Sequence, residues 1–207
     1  MLASSSSADP PESPALAAAA DVLRRGGVVV YPTETLYGLG VDATNPQALA
    51  RLVALKGREA GKPISVLVAD ETMLSELADE VSPLARRLVR RFWPGPLTLV
   101  LPARASVSEL LTGGTGTIGV RVSSHPVATA LVAAVGRPVT SPSANPAGCA
   151  PPVTVDDARA YFGTTVDAYL DGGRLPGEPA STVVDVRDGL RIVREGAVSI
   201  AVLRAAA

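Results

Sequence analysis

Residues 13–35 read SPALAAAADVLRRGGVVVYPTET, and the order of physical properties along them sets the fold class. Ser13 before Pro14 is a helix start: a hydroxyl that can accept from an orphan backbone N–H, then a proline where no N–H is needed. Residues 15–25 continue as an alanine- and leucine-rich helix, and Gly26-Gly27 stops it. Residues 28–31, Val-Val-Val-Tyr, are β-branched and aromatic without polar alternation, the signature of a strand buried on both faces. Thr33, Glu34 and Thr35 follow at its end. A capped helix, a buried strand and a polar turn at such short spacing indicate an α/β protein.

The same grammar recurs outward from this segment. Asn45-Pro46 opens a helix through Leu55, Asp70 caps a short helix from Glu71, and Ser82-Pro83 opens another through Phe92. Residues 126–135 and 155–162 are also helical. Apolar, β-rich runs at 64–68, 97–101, 118–122, 138–140, 168–170, 182–186 and 190–194 predict strands, the last three closing the chain. The expected architecture is a single α/β domain over 14–204: an open, twisted, mixed sheet flanked by helices, with a concave ligand cleft. Residues 1–13, polar and proline-rich, predict a disordered tail. There is no internal repeat.

Composition narrows the function. The 207 residues are 47% hydrophobic, ample for a core, and the formal net charge is −1. That balance disfavours a protein that lives by gripping a nucleic-acid backbone. One cysteine, Cys149, allows no internal disulfide, and one histidine, His125, excludes histidine-paired metal ligation. The N-terminus lacks the charged lead and apolar run of a secretory signal, and no stretch approaches the ~20 apolar residues of a membrane span. The chain reads as cytoplasmic, with no membrane partner.

Several motifs carry nothing. Gly114-Thr115-Gly116-Thr117-Ile118-Gly119 matches GxGxxG, but it follows a helix-like segment and precedes a strand, the reverse of the dinucleotide-binding order. There is no Walker A sequence. His125 before Pro126 reads as a capping or surface residue, Cys149 as inert, and Trp93 as the anchor of a rigid turn rather than a base-stacking platform, since aromatics make up only 3% of the chain.

The polar residues that remain form an ordered set. The two lysines of the chain, Lys56 and Lys62, both lie in Lys56-Gly57-Arg58-Glu59-Ala60-Gly61-Lys62. A compact ammonium on a flexible stem is a phosphate binder, and the clustering suggests a polyphosphate site. Thr35, Arg121, Ser141 to Asn145, Ser181 and Arg194 all lie in or beside strands. In open α/β sheets, such ends converge on a ligand crevice. Hydroxyls at Thr35, Ser141 and Ser181 can hydrogen-bond a substrate, Arg121 can hold a carboxylate, and Lys56, Arg58, Lys62 and Arg194 can neutralise phosphates.

Taken in order over 15–203, these segments resemble the YrdC-like family of L-threonylcarbamoyladenylate synthases. The residues that carry the resemblance are Tyr31-Pro32-Thr33-Glu34-Thr35-Leu36-Tyr37-Gly38-Leu39-Gly40, Lys56-Gly57-Arg58 with Lys62-Pro63-Ile64, and Phe92-Trp93-Pro94-Gly95-Pro96-Leu97-Thr98. Gly119-Val120-Arg121-Val122, Ser141-Pro142-Ser143-Ala144-Asn145, Ser181-Thr182-Val183-Val184-Asp185 and Val193-Arg194-Glu195-Gly196 continue it.

The resemblance implies condensation of L-threonine, bicarbonate and ATP into threonylcarbamoyl-AMP and pyrophosphate. It also implies Mg²⁺ on the phosphates, no metal held by side chains, and a downstream tRNA threonylcarbamoyl transferase as consumer. By position it assigns Lys56, Arg58 and Arg121 to catalysis. Arg58, Lys62, Thr117, Ser143, Asn145 and Arg194 are assigned to the nucleotide, and Thr35, Arg121, Ser141 and Ser181 to threonine. The short C-terminus resembles the form of the family without an extra domain. Three positions depart from the family pattern: Leu67 where histidine is frequent, Ser123 for proline and Ala147 for serine, and Leu67 is expected to remove a polar contact to the amino acid. Two other classes are consistent with the same cleft: an RNA-binding module for tRNA or double-stranded RNA, with weak affinity, and a carbamoyl-adenylate-using transfer module.

Overall fold

Ser13 Oγ accepts the Leu16 N–H at 3.1 Å and opens α1 (Pro14–Arg24), in a computed structural model that describes residues 13–57 and 61–207. The tail expected over 1–13 therefore lies, apart from Ser13, outside the described residues. Asn45 caps α2 (Pro46–Lys56), Asp70 caps α3 (Glu71–Leu77) and Ser82 caps α4 (Pro83–Phe92), each through its side-chain oxygen. A short α5 (Glu109–Thr112) precedes α6 (Pro126–Val135), whose N-cap is His125; its Nδ1 accepts the Val127 N–H at 3.3 Å. Thr154 and Asp157 form a reciprocal capping box at α7 (Val155–Phe162).

The strands are β1 (Val29–Pro32), β2 (Tyr37–Gly40), β3 (Val66–Leu67), β4 (Leu97–Pro102), β5 (Thr117–Arg121), β6 (Val139–Thr140), β7 (Ala168–Tyr169), β8 (Thr182–Asp185) and β9 (Arg191–Arg194). The α/β class and the mixed strand directions hold, but the strands divide between two sheets. One has the order β2-β1-β7 and the other β6-β3-β5-β4-β8-β9. In the larger sheet β5 runs parallel to β3 and antiparallel to β4, and β8 runs parallel to β4 and antiparallel to β9.

Two elements lie outside the sequence expectation. β2 is half glycine, a composition that argues against a strand until its packing is seen. A Cβ on Gly40 would sit 2.8 Å from Tyr31 Cε1 and 3.0 Å from Val139 Cγ1, so glycine lets the β2 backbone lie directly on the Tyr31 ring. Tyr31 is fully buried and donates its hydroxyl to the Thr140 carbonyl at 2.8 Å, joining the small sheet to β6 of the large one. The second correction is at the C-terminus, where the chain closes on α8 (Ile200–Ala206) and not on a strand.

Period-two alternation creates the site. Leu97, Leu99 and Leu101 of β4, Ile118 and Val120 of β5 and Val184 of β8 are at most 1% exposed and face the core. Their neighbours Thr98, Val100, Thr117, Gly119, Arg121, Val183 and Asp185 line a cleft on the opposite face. The six-stranded sheet thus turns one face to the core and presents the polar set on the other. Among the described residues no helix is long and apolar enough to cross a membrane.

Candidate active site

The cleft has a volume of about 670 Å³ and is bordered by the β1–β2 turn, the C-terminal end of α2, the segment after β6, and strands β4, β5, β8 and β9. Of the residues singled out in the sequence, Thr35, Lys56, Thr117, Arg121, Ser141, Ser143, Ser181 and Arg194 all line it. Asn145 is buried behind this wall. Lys62 is exposed and precedes Pro63, which lines the cleft. Arg58 lies outside the described residues.

Lys56 is 5% exposed, and its Nζ donates to the carbonyls of Ser143 at 2.6 Å and Asn145 at 2.7 Å. The Ala147 N–H returns a bond to the Lys56 carbonyl at 2.8 Å. The lysine at the end of α2 therefore ties down the Ser-x-Asn segment as well as bringing positive charge to the cleft wall. The opposite edge of that segment is held by β2, where Leu39 N–H donates to Pro142 O and Ala144 N–H to Tyr37 O, each at 2.8 Å. Asn145 Nδ2 donates to Cys149 O at 2.7 Å and Pro146 O at 3.1 Å, while its buried Oδ1 has no partner among the described residues.

Arg121, 5% exposed at the end of β5, bonds the Glu34 carboxylate through Nη1 and reaches Ser141 Oγ through Nη2 at 3.4 Å. On the far wall Arg194 Nη2 donates to Ser181 O at 2.8 Å, and Ser181 Oγ lies 3.2 Å from Thr98 Oγ1. Burial, and secondarily the positive charge of Arg121, pull the Arg194 pKa below its ordinary value. Two guanidiniums that disfavour each other across one hollow are offset by an anion placed between them. Thr117 and Thr115 share a 2.8 Å hydroxyl contact at the start of β5.

Sequence reasoning missed Thr98, Ser65, Asp185, Arg187 and Arg191 as lining residues. The alternation in β4 and β8 could have pointed to Thr98 and Asp185, once one face of each strand was assigned to the core. Asp185 pairs with both Arg187 and Arg191, at 2.8 and 2.7 Å. The hydrogen bond from Arg187 comes first among the causes that hold its carboxyl far below the usual range. The three departures from the family pattern are also placed. Leu67 pairs in register with Arg121 but belongs to the core and does not line the cleft. Ser123 is buried and donates to Glu34, and Ala147 is exposed. Trp93 closes its turn by donating Nε1–H to the Leu97 carbonyl at 2.7 Å.

Known proteins resemble the chain over this whole unit. The family model Sua5_yciO_yrdC, described as "Telomere recombination", matches residues 21–196. Threonylcarbamoyl-AMP synthase of Halorhodospira halophila is 43% identical over 171 residues, covering 83% of this chain and 88% of that protein. The crystal structure of P. abyssi Sua5 complexed with L-threonine superposes with a TM-score of 0.85 at 38% identity, covering 87% of this chain. The chain spans about half, 54%, of that longer protein. E. coli YciO superposes with a TM-score of 0.83 at 30% identity, covering 93% of this chain and 94% of its own.

Proposed function

The chain belongs to the Sua5–YciO–YrdC family, and we propose from that premise that its cleft makes L-threonylcarbamoyl-AMP and pyrophosphate from L-threonine, bicarbonate and ATP. The observation that carries the reading is that Lys56 and Arg121, the phosphate-type and carboxylate-type cations of the sequence, border one hollow.

In this reading the threonine amine and bicarbonate condense to a carbamate with loss of water. A carbamate oxygen attacks the α-phosphorus of ATP, a new P–O bond forms, and the bond to pyrophosphate breaks. The substrate supplies the nucleophile, so the chain needs no activated serine or cysteine; Cys149 is exposed and uninvolved. Catalysis is positioning plus charge stabilisation. Arg121 Nη2 and Ser141 hold the amino-acid carboxylate, Thr35 and Ser181 read its hydroxyl, and Lys56, Ser143, Thr117 and Arg194 face the nucleotide. Arg58 and Lys62, by their place in the Lys56–Lys62 segment of the sequence, add positive charge for the phosphates.

Among the described residues no group of three acid, histidine or cysteine side chains could hold a metal ion. Of the carboxylates that line the cleft, Glu178 and Asp185, the second is paired with Arg187 and Arg191; in this reading Mg²⁺ arrives on the nucleotide, where it would offset phosphate charge. The product is a mixed anhydride that water hydrolyses. Such a product is used close to where it is made, so the consumer in this reading is a transferase that passes the threonylcarbamoyl group to tRNA, and the place of work is the cytoplasm, where tRNA is.

The test is pyrophosphate release from ATP by the purified chain, with L-threonine and bicarbonate omitted in turn, and mass detection of the AMP adduct. Release that requires both co-substrates is expected. Release that ignores threonine sinks the reading.

A further inference from the structure

We propose that Glu34 and Ser123 are positioning residues: a buried hydroxyl-to-carboxylate relay that fixes Arg121 so that one edge of its guanidinium is reserved for the substrate carboxylate. The inference rests on the reading of the site given above and specifies how its amino-acid end is built.

Glu34 uses its two oxygens on two different partners. Oε1 accepts from Arg121 Nη1, and Oε2 accepts the Ser123 hydroxyl. The Ser123 oxygen in turn accepts the His125 N–H at 3.1 Å at the start of α6, which anchors the relay in backbone. All three side chains are sequestered: Ser123 is 2% exposed as a residue, and the side chains of Arg121 and Glu34 are 7% and 12% exposed. A buried guanidinium is costly unless paired, and Leu67, its register partner on β3, offers no acceptor. Glu34 supplies that charge.

The geometry separates this role from that of a competitor for the substrate. A carboxylate that filled the substrate's place would take the guanidinium side-on, with both oxygens on two nitrogens. Glu34 takes Nη1 alone and turns its second oxygen away, to Ser123. Nη2 is directed at Ser141 Oγ, which lines the cleft. The guanidinium is thereby held from one side, with its second amino group and the Ser141 hydroxyl presented together to an incoming carboxylate. Fixing a fork in place before binding removes part of the ordering cost of binding.

Ser123→Ala and Glu34→Gln test the relay in the full-length chain, with L-threonine affinity read by calorimetry and KM for L-threonine and for ATP read by pyrophosphate release. Ser123→Ala deletes one hydrogen bond to Glu34 and is expected to weaken L-threonine about fivefold. KM for ATP and kcat at saturating threonine should stay within about twofold, a split that general loosening of the fold does not give. Glu34→Gln, which keeps the shape and loses the charge, should weaken threonine more, and Ser123→Thr, which keeps the hydroxyl, should recover most of the loss. Unchanged threonine affinity in Ser123→Ala, or parallel losses for ATP and threonine, overturns the proposal. Tighter threonine binding by Glu34→Gln overturns it too, by making Glu34 a competitor. A wild-type chain that does not bind L-threonine sinks the reading of the site and this inference with it; wild-type binding with indifferent variants sinks the inference alone.

Discussion

Lys56 places its ammonium on the carbonyls of Ser143 and Asn145 while buried in the cleft wall, so one side chain carries both a structural and an electrostatic task. Lys56→Met is expected to leave those two carbonyls without their lysine donor, at about 1–3 kcal/mol for each that stays unsatisfied. The melting temperature should fall, and adduct formation should fall at least ~10²-fold, because charge at the transferring phosphoryl and alignment of the loop are lost together. Arg121→Ala should also lower adduct formation ~10²-fold, with the loss appearing first as weakened threonine binding. Turnover like wild type in either variant removes that residue from the site. The site was legible in the sequence where residue type announces chemistry at a strand end, as for Ser141, Ser143 and Arg194. It was illegible where the role depends on a partner far along the chain. That Glu34 would meet Arg121 and Ser123, or that Lys56 would be buried against a loop almost ninety residues on, follows from how the turn, helix and loop pack together, which no local pattern encodes.

At the scale of elements, helix starts were the most readable feature, because a cap is a local event. Ser82, with Pro83 behind it, accepts the Ala85 N–H at 3.2 Å. Ser82→Ala should cost about 1 kcal/mol in urea unfolding without changing kinetics. β2 and α8 were not readable for opposite reasons. β2 owes its glycines to the Tyr31 ring beneath it, whereas α8 is too short to announce itself: five of its seven residues favour helix, and the packing of the fully buried Leu203 holds it in place. Packing also dictates Gly196, just after β9. A Cβ there would lie 2.2 Å from the Ala180 carbonyl oxygen and 2.7 Å from the Ser181 carbonyl carbon. Both are backbone atoms that cannot swing aside. Gly196→Ala must push away the segment that carries Ser181, and is expected to destabilise by about 1–3 kcal/mol. It should also raise KM for the substrate that Ser181 contacts, which melting and steady-state kinetics on the same preparation would separate from simple unfolding.

For the whole molecule, the groups that titrate below neutral pH push in one direction. Burial holds the His125 pKa below its ordinary 6.5, with Glu34 opposing more weakly. The folded state therefore takes up the imidazole proton less readily than the unfolded chain, which binds more protons as pH falls through 6.5, and stability drops from there downward. Asp185, bonded first by Arg187 and then by Arg191, and Asp167, where Arg51 and the Val28 N–H outweigh a larger desolvation effect, have carboxyl pKa values below the ordinary 3.8. Their contribution is fully present above that value and is lost as pH falls below it. Asp167 is partly solvent-exposed, as is its partner Arg51, so Asp185 should dominate that limb. The expected melting curve is flat from about pH 7 to 9, declines shallowly below about 6.5 and steepens below about 4; burial raises the Tyr31 hydroxyl pKa, so the curve declines again above about 10. His125→Asn separates the two acid-side limbs: asparagine can still cap α6 but carries no proton to titrate, so the shallow decline should vanish while the steep one stays. A melting temperature that holds constant from pH 7.5 to 5 in the wild-type chain would show that His125 pays no such penalty. The acid limb would then rest on the carboxylates alone, and the closeness of His125 to the Glu34 relay would have no reading in pH.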